Sequence, residues 1–318
     1  MIKKPLKQLF EAMYHGKYDF LDFVEGNIKE NFDIFTIDDR KICRPNKKLK
    51  KYHSFLNLFL FENFRINPSV VYSYRKGVNV FDAVSQHSAS KHFFQTDIAK
   101  FFPSIDADLI RKTLSENLDV VQVIDANDYV DRIVDLVTVD NSLPIGFATS
   151  PPISNACLFV FDNMLHDYCM SKNLVYTRYA DDLIISTKNR DELEGIADQV
   201  EQRLFDAFAQ KKMALHQGKT KFTHVGAKVK LLGMVILPNG TVSVDMKFKK
   251  QIEVILHFYI TDRTKFLALV DSDLNAGMEK ISGQLGYINT VDKNYLNKLR
   301  KKYGATVVDM FLHYSPTK

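Results

Sequence analysis

The sequence predicts an α+β fold, in which a sheet is covered by helices on one face and followed by a purely helical segment. Three observations in the 318-residue chain support it. Residues 93–102, Phe-Phe-Gln-Thr-Asp-Ile-Ala-Lys-Phe-Phe, read as a buried strand carrying one acid, Asp97. Residues 174–186 run apolar up to Ala180-Asp181-Asp182 and apolar away again, the pattern of strand, tight turn, strand. Between and after these lie stretches with apolar residues at helical spacing, and such alternation gives a layer of helices on a sheet.

Residues 1–35 carry Leu6, Leu9, Phe10 and Met13, then Phe20, Phe23 and Val24, at helical spacing, so this segment is expected to be a helical cover. The next stretch, residues 38–51, is the densest cationic run in the chain. It starts extended and becomes a helix through Phe55, Leu58 and Phe59. Such a run is either a solvated face or a surface for phosphates and stacked bases. Residues 72–77, Tyr-Ser-Tyr-Arg-Lys-Gly, form a loop in which Arg75 could approach phosphate oxygens, or a plain surface turn. After the first strand, Pro103, Ser104 and Asp106 open a helix through Leu109, Ile110 and Leu114. A loop-rich stretch to about Asn141 is expected next.

Ser150 is the expected N-cap of a helix with Pro151 and Pro152 in its first turn. Its packing stripe runs through Ile153, Ala156, Cys157, Val160, Phe161, Met164, Leu165 and Tyr168. A further helix carries Leu193, Ile196, Ala197, Val200, Leu204 and Phe208, and a strand spans residues 229–237 before the turn Pro238-Asn239-Gly240. The pattern is helical from Val244 onward, with lysines and arginines spread along it. Domain boundaries are therefore expected at 1–35, 36–243 and 244–318.

With 46% apolar residues the chain can bury a sizeable core, and a net charge of +5 permits a polyanionic partner without demanding one. Cys43, Cys157 and Cys169 form no CxxC pair, which fits a reducing compartment and a cytoplasmic protein. No stretch reaches the roughly 18 apolar residues a membrane span needs, and the N-terminus lacks a long apolar core, so no membrane partner is expected. Disulfides and structural zinc are set aside on the same cysteine count.

Asp181 and Asp182 repel each other and lose hydration wherever they are partly buried, an arrangement that calls for cations. Turn-forming acids in water would need none. Asp97, inside an apolar run, needs a cation or donors in either case.

Tyr179-Ala180-Asp181-Asp182, within Tyr176-Thr177-Arg178-Tyr179-Ala180-Asp181-Asp182-Leu183, resembles the YADD motif of reverse transcriptases. Asp97 through Phe102 with Pro103-Ser104 resembles that family's first catalytic block. Gly146 with Thr149-Ser150-Pro151 and Asn155-Ala156 resembles the block that supports template and nucleotide. Lys219-Thr220 and Leu231-Leu232-Gly233 fall where later palm blocks lie, and residues 285–304 resemble the thumb of the retron branch. Three departures stand out. Residues 82–87, Asp-Ala-Val-Ser-Gln-His, replace an Asn-Ala-x-x-His block, Leu231-Leu232-Gly233 replaces Val-Thr-Gly, and Ile145 stands where a Gln is usual. They favour the neighbouring antiphage, abortive-infection-like enzymes over retrons proper.

The resemblance implies a right-hand polymerase fold: fingers and palm over 36–243, the palm an antiparallel sheet backed by helices, and a helical thumb over 244–318. It implies an RNA-directed DNA polymerase working by two-metal nucleotidyl transfer. Asp97, Asp181 and Asp182 would be catalytic, and with the Ile98 carbonyl they would ligate two Mg²⁺ ions about 3.5–4 Å apart, Mn²⁺ being able to substitute. Lys41, Arg44, Arg75, Ile98, Phe102, Gly146 and Lys219 are the implied nucleotide-binding residues, with Lys219 assisting the leaving group and Phe102 as a steric gate against the ribose 2′-hydroxyl. The implied partners are a structured noncoding RNA template, a DNA product or RNA–DNA hybrid, and dNTPs, in an antiphage setting. An effector protein and a homo-oligomer stay open as further partners. A retron enzyme making msDNA and a template-independent DNA polymerase of the same fold are the alternatives.

Overall fold

The structure, a computed structural model, describes residues 3–208, 213–270 and 274–314. Met1 and Ile2 of the expected N-terminal segment lie outside them. Helices α1 (Leu6–Tyr14) and α2 (Phe20–Glu25) form where the apolar spacing predicts, α2 being capped by the Asp19 carboxylate, which accepts from the Leu21 N–H. The helical stretch ends before residue 35. Phe32 already belongs to β1 (Phe32–Ile37), which pairs antiparallel with β2 (Arg40–Pro45) in the register Ile37↔Arg40. Asp38 (φ 46°) and Asp39 (φ 61°) make the turn, both left-handed as a two-residue hairpin of this hand requires, and Asp tolerates that conformation. Helix α3 (Lys47–Phe59) follows, with the Asn46 side chain accepting from the Leu49 N–H. Its buried Tyr52 and Phe55 meet Phe10 at ring distances of 5.9 and 5.2 Å, so α1, α2 and α3 share one aromatic cluster.

Helix α4 (Val80–Ser85) precedes β3 (His92–Asp97). The strand stops at Asp97 instead of running on to Phe102, because Lys100 is left-handed (φ 49°) and residues 102–104 coil into a 3₁₀ turn around Pro103. Asp106 caps α5 (Ala107–Glu116). The stretch expected as loop contains α6 (Val130–Val137), whose Val130, Ile133, Val134 and Val137 are buried; apolar residues at helical spacing with Asp131 and Asp135 outside are an amphipathic pattern that the loop reading passed over. One long helix was expected from Ser150, but there are two, α7 (Ser150–Cys157) and α8 (Phe159–Ser171), broken at Leu158. Thr149 takes the N-cap position, and the Ser150 hydroxyl donates to the Pro144 carbonyl at 2.7 Å instead of capping. Val160, expected on the packing stripe, is exposed.

The hairpin β4 (Val175–Tyr179) and β5 (Asp182–Thr187) leads to α9 (Ile196–Phe208) and β6 (Lys221–His224). The single strand expected over 229–237 is itself a hairpin, β7 (Val229–Leu231) and β8 (Met234–Ile236), turned by Leu232 (φ 47°) and Gly233 (φ 88°) and continued by β9 (Val242–Val244). Among the described residues, five helices follow β9: α10 (Met246–Thr261), α11 (Arg263–Leu269), α12 (Leu274–Val291), α13 (Lys293–Tyr303) and α14 (Ala305–Leu312). The sheets are β1-β2, β4-β5-β3-β6 and β7-β8-β9.

The chain forms two compact units, residues 1–79, 94–185 and 191–221 in the first, and 80–93, 186–190 and 222–318 in the second. In the second, several cations of the closing helices are paired with acids of a neighbouring helix or its cap, Lys249 of α10 with Asp292 before α13, Arg300 of α13 with Asp309 of α14 and Lys302 of α13 with Glu253 of α10. Among the described residues no helix is long and apolar enough to cross a membrane.

Gly146 fixes the approach of two segments in the first unit. The Cys43 N–H donates to the Ile145 carbonyl at 2.8 Å, and a Cβ on Gly146 would stand 2.4 Å from the Cys43 carbonyl oxygen, at a φ of +107°. Gly146→Ala is expected to lower stability by about 2 kcal/mol, read as a fall in the urea midpoint at unchanged slope.

Candidate active site

Three carboxylates meet where β3 ends and the β4–β5 hairpin turns. Asp97 is the last residue of β3 and is almost fully buried. The hairpin turn needs one left-handed residue, and Ala180 supplies it at φ 57°, which costs an L-residue about 1–2 kcal/mol. Backbone bonds set the acids in place. The Ile98 N–H donates to the Asp181 carbonyl at 3.0 Å, and the His216 N–H donates to the Asp97 carbonyl at 2.8 Å.

The acids are held against their own charge. One oxygen of Asp97, Oδ2, pairs with the Lys219 ammonium, while Oδ1 is buried with no hydrogen-bond partner among the described residues. Burial, and then the Asp97 charge, raises the Asp181 carboxyl above its ordinary value. Asp182 is pushed up to about 6 by burial, then by Asp181 and Asp97. Among the described residues no three acidic, imidazole or thiol side chains close on one point as a ready metal cage. An orphaned buried oxygen and two acids that resist ionisation nevertheless describe a place short of positive charge. A hard cation that keeps waters and takes part of its shell from substrate phosphates fits such an incomplete oxygen set.

The acids open into a cleft of about 790 Å³, the volume of a small-ligand site. Asp97 and Asp181 form one wall, Arg40 and Lys41 of β2 line it as well, and Ile98, Phe101, Phe102 and Ile145 supply apolar surface. Lys219 stands at the acids. Of the residues singled out in the sequence, Asp97, Asp181, Ile98, Lys41, Phe102 and Lys219 line this cleft, and Asp182 adjoins it in the turn. Phe102 is half-buried and also packs on the core beside Phe101.

Three of the expected nucleotide-binding residues are placed otherwise. Arg44 lies opposite Asp33 across the β1–β2 ladder, pairs with it at 3.2 Å and covers the Phe35 ring. Arg75 donates to the Pro68 and Val71 carbonyls and lines a separate pocket of about 440 Å³. Gly146 serves the backbone contact with Cys43, and it is Ile145 that borders the cleft.

Sequence reasoning missed Arg40, whose charge reaches Asp181, and Tyr74, which faces both pockets. Arg40 lies in the cationic run, and only the Asp38-Asp39 hairpin register could have singled it out. Nothing local marks Tyr74, which is left-handed at φ 55°.

An acid raised from its ordinary 3.8 to about 6 contributes stability that is full below pH 4 and is lost as pH rises through 6. Because Asp182 is exposed, solvent screens much of the repulsion from Asp181 and Asp97, and Asp182→Asn is expected to raise the Tm of chelator-treated protein only slightly at pH 7.5 and to leave it unchanged at pH 4. Melting curves of wild type and variant across that range check the difference.

Over residues 29–236 the chain matches the family described as reverse transcriptase (RNA-dependent DNA polymerase). It is similar to the Retron Ec83 reverse transcriptase of Escherichia coli, 23% identical over 88% of each chain. It is also similar to the Retron Ec86 reverse transcriptase of Escherichia coli, 23% identical over 86% of this chain and 82% of that one. Among solved structures it shares the fold of apo telomerase from Candida tropicalis, with a TM-score of 0.53 and 10% identity, covering 88% of this chain and 58% of the telomerase chain.

Proposed function

Since the chain belongs to the reverse transcriptase (RNA-dependent DNA polymerase) family and is retron-like within it, we propose that its acid cleft is the site where it copies a structured noncoding RNA into DNA. The observation that carries this reading is the buried, unpartnered Oδ1 of Asp97 beside two acids whose charge is opposed by burial and by one another. Residues 36–243 serve as fingers and palm and residues 244–318 as thumb.

Asp97, Asp181 and Asp182 would hold the cations, with the Ile98 carbonyl as a further oxygen ligand, and this all-oxygen set suits Mg²⁺ or Mn²⁺. Cations held there would supply Lewis acidity at the primer hydroxyl and charge neutralisation at the triphosphate. Lys41 grips the triphosphate from the β1–β2 hairpin, and Arg40 joins it there. Lys219, already drawn to Asp97, is placed to neutralise or protonate the leaving pyrophosphate. Phe102 closes the cleft where the sugar lies, so a 2′-hydroxyl meets the ring. Arg44 and Arg75, engaged with Asp33 and with backbone carbonyls, contribute less to nucleotide grip than their charge suggests.

The template is an RNA made with the protein, the DNA product leaves as an RNA–DNA hybrid or msDNA, and the setting is antiphage defence. The resemblance of the chain to retron enzymes supports the RNA and the product; challenge of expressing cells with phage tests the setting. Three buried free cysteines support a reducing, cytoplasmic location. Ile145 on the cleft favours a second reading, extension with little templating, since an apolar side chain offers no hydrogen bond near a templating pair. Sequencing the nucleic acid that copurifies separates templated from untemplated product.

Asp181→Ala with Asp182→Ala is expected to abolish primer extension while the melting temperature holds or rises, because it removes metal ligands and relieves like-charge repulsion. Undiminished synthesis ends the polymerase reading of this cleft.

Phe102→Val is expected to raise incorporation of rGTP relative to dGTP, because a clash can be relieved without moving the acids. Should Phe102 serve the core alone, the same change lowers stability, by less than the roughly 3–5 kcal/mol of a fully buried Phe cut to Ala because Phe102 is half-buried and Val fills part of the space, and reduces use of both sugars alike. The ratio of kcat/KM for the two nucleotides, beside a melting curve, distinguishes the outcomes.

A further inference from the structure

The largest fully buried side chain in the described residues is a charged one, Arg178 of β4. Its guanidinium is forked onto Asp162 of α8, also fully buried: Nε donates to Oδ1 at 2.8 Å and Nη2 to Oδ2 at 2.6 Å. The Tyr176 hydroxyl donates to the same carboxylate at 2.9 Å. The remaining reach of Arg178 goes elsewhere. Nη1 donates to Asn155 Oδ1 of α7 at 3.1 Å and to the Ala180 carbonyl at 3.0 Å. Asn155 is anchored in turn, its amide donating to the Ser73 carbonyl at 2.9 Å. The Arg178 backbone is tied as well, its N–H donating to the Val70 carbonyl at 2.7 Å and its carbonyl accepting from the Tyr72 N–H at 3.0 Å.

A buried ion pair is a poor device for stability, because desolvation consumes most of the attraction and apolar residues of like volume do as well or better. What a planar guanidinium adds is direction. The Ala180 carbonyl belongs to the residue that is left-handed without being glycine, one peptide before Asp181. We propose that Arg178 is a positioning residue for catalysis: braced by Asp162 and Asn155, it holds the Ala180 carbonyl and so fixes the turn that presents Asp181 and Asp182 beside Asp97. Lysine in its place keeps the charge but loses the fork, and cannot hold Asp162, Asn155 and the turn together. This inference rests on the polymerase reading of the cleft.

The test compares wild type, Arg178→Lys, and the apolar pair Arg178→Met with Asp162→Leu. Single-turnover incorporation, KM for dNTP and the Mg²⁺-induced shift in Tm are measured for each. Arg178→Lys is expected to melt within a few degrees of wild type, to lose about 10- to 100-fold in rate with KM changed by no more than about threefold, and to need more Mg²⁺ for half the thermal shift. Adding Ala180→Gly to Arg178→Lys is expected to recover part of the rate, because glycine adopts the left-handed turn unaided. The apolar pair, if it folds, keeps its melting temperature and loses rate to the same extent. The proposal is overturned if Arg178→Lys or the folded apolar pair incorporates at the wild-type rate with an unchanged Mg²⁺ response, or if loss of rate follows loss of melting temperature and glycine restores neither. Absence of primer extension in wild type would instead refute the polymerase reading, and the Mg²⁺-induced shift would still report on the turn.

Discussion

Two carboxylates in a partly dry cleft, Asp97 and Asp181, and a third, Asp182, exposed at its edge repel one another, and much of the first unit can be understood as the means of holding them there. No single element could do so. Asp97 ends a strand, Asp181 and Asp182 occupy a turn some eighty residues later, and Lys219 follows after a further helix. Backbone bonds tie the segments that carry them: Ile98 N–H to the Asp181 carbonyl, His216 N–H to the Asp97 carbonyl and Ala99 N–H to the Ala214 carbonyl, and the Arg178 guanidinium adds a side-chain bond to the Ala180 carbonyl. Main-chain hydrogen bonds between these segments hold the backbone from which the acids project, so their approach is set by the fold and not by attraction between the side chains.

Positive charge is distributed by the same logic. The cationic run of residues 38–51 looks uniform in the sequence, yet its members do different work. Lys48 pairs with Asp22 at 3.0 Å, Arg44 with Asp33, and Arg40 and Lys41 are left to line the cleft. The hairpin register makes the division, since the Asp38-Asp39 turn brings Asp33 opposite Arg44 and leaves Arg40 beside the turn. The parallel contact between Ile42 and Ile145, made possible by the missing side chain of Gly146, then sets that hairpin against the segment that leads into α7.

The α+β class, the acidic hairpin, the strand carrying Asp97 and the helical close were all legible, because each has a strong local period or turn signature. What escaped was decided by tertiary contact or by single backbone angles. Helix α6 is the exception, a short amphipathic period that was legible and passed over, whereas the break at Leu158 has no glycine or proline to announce it, and the β7–β8 turn depends on a leucine taking a left-handed angle. At the site, the acids stood out because buried charge contradicts its surroundings, whereas Arg40 and Tyr74 are ordinary surface residues until the fold sets them at the cleft. Arg75 was misleading for the converse reason: its sequence context is that of a phosphate loop, but carbonyls of its own loop already occupy the guanidinium.

The motif departures find a physical setting in the second unit. His87, where the block 82–87 differs from the retron pattern, is fully buried, its Nδ1 stands 2.6 Å from the Ser186 hydroxyl, and that hydroxyl donates to Ser90 at 2.7 Å. Burial lowers its pKa to about 3, so the ring is a neutral structural member near neutral pH. In Leu231-Leu232-Gly233 the glycine is the residue kept from the family triplet, and it takes the second left-handed position of the β7–β8 turn, while Leu231 fills the core. These substitutions alter how side chains pack within that unit. Ile145, by contrast, replaces a hydrogen-bonding amide with apolar surface on the cleft itself, in the segment held against β2. Of the three departures it is therefore the one whose side chain reaches the cleft, and the acids beside it are unaffected by the change.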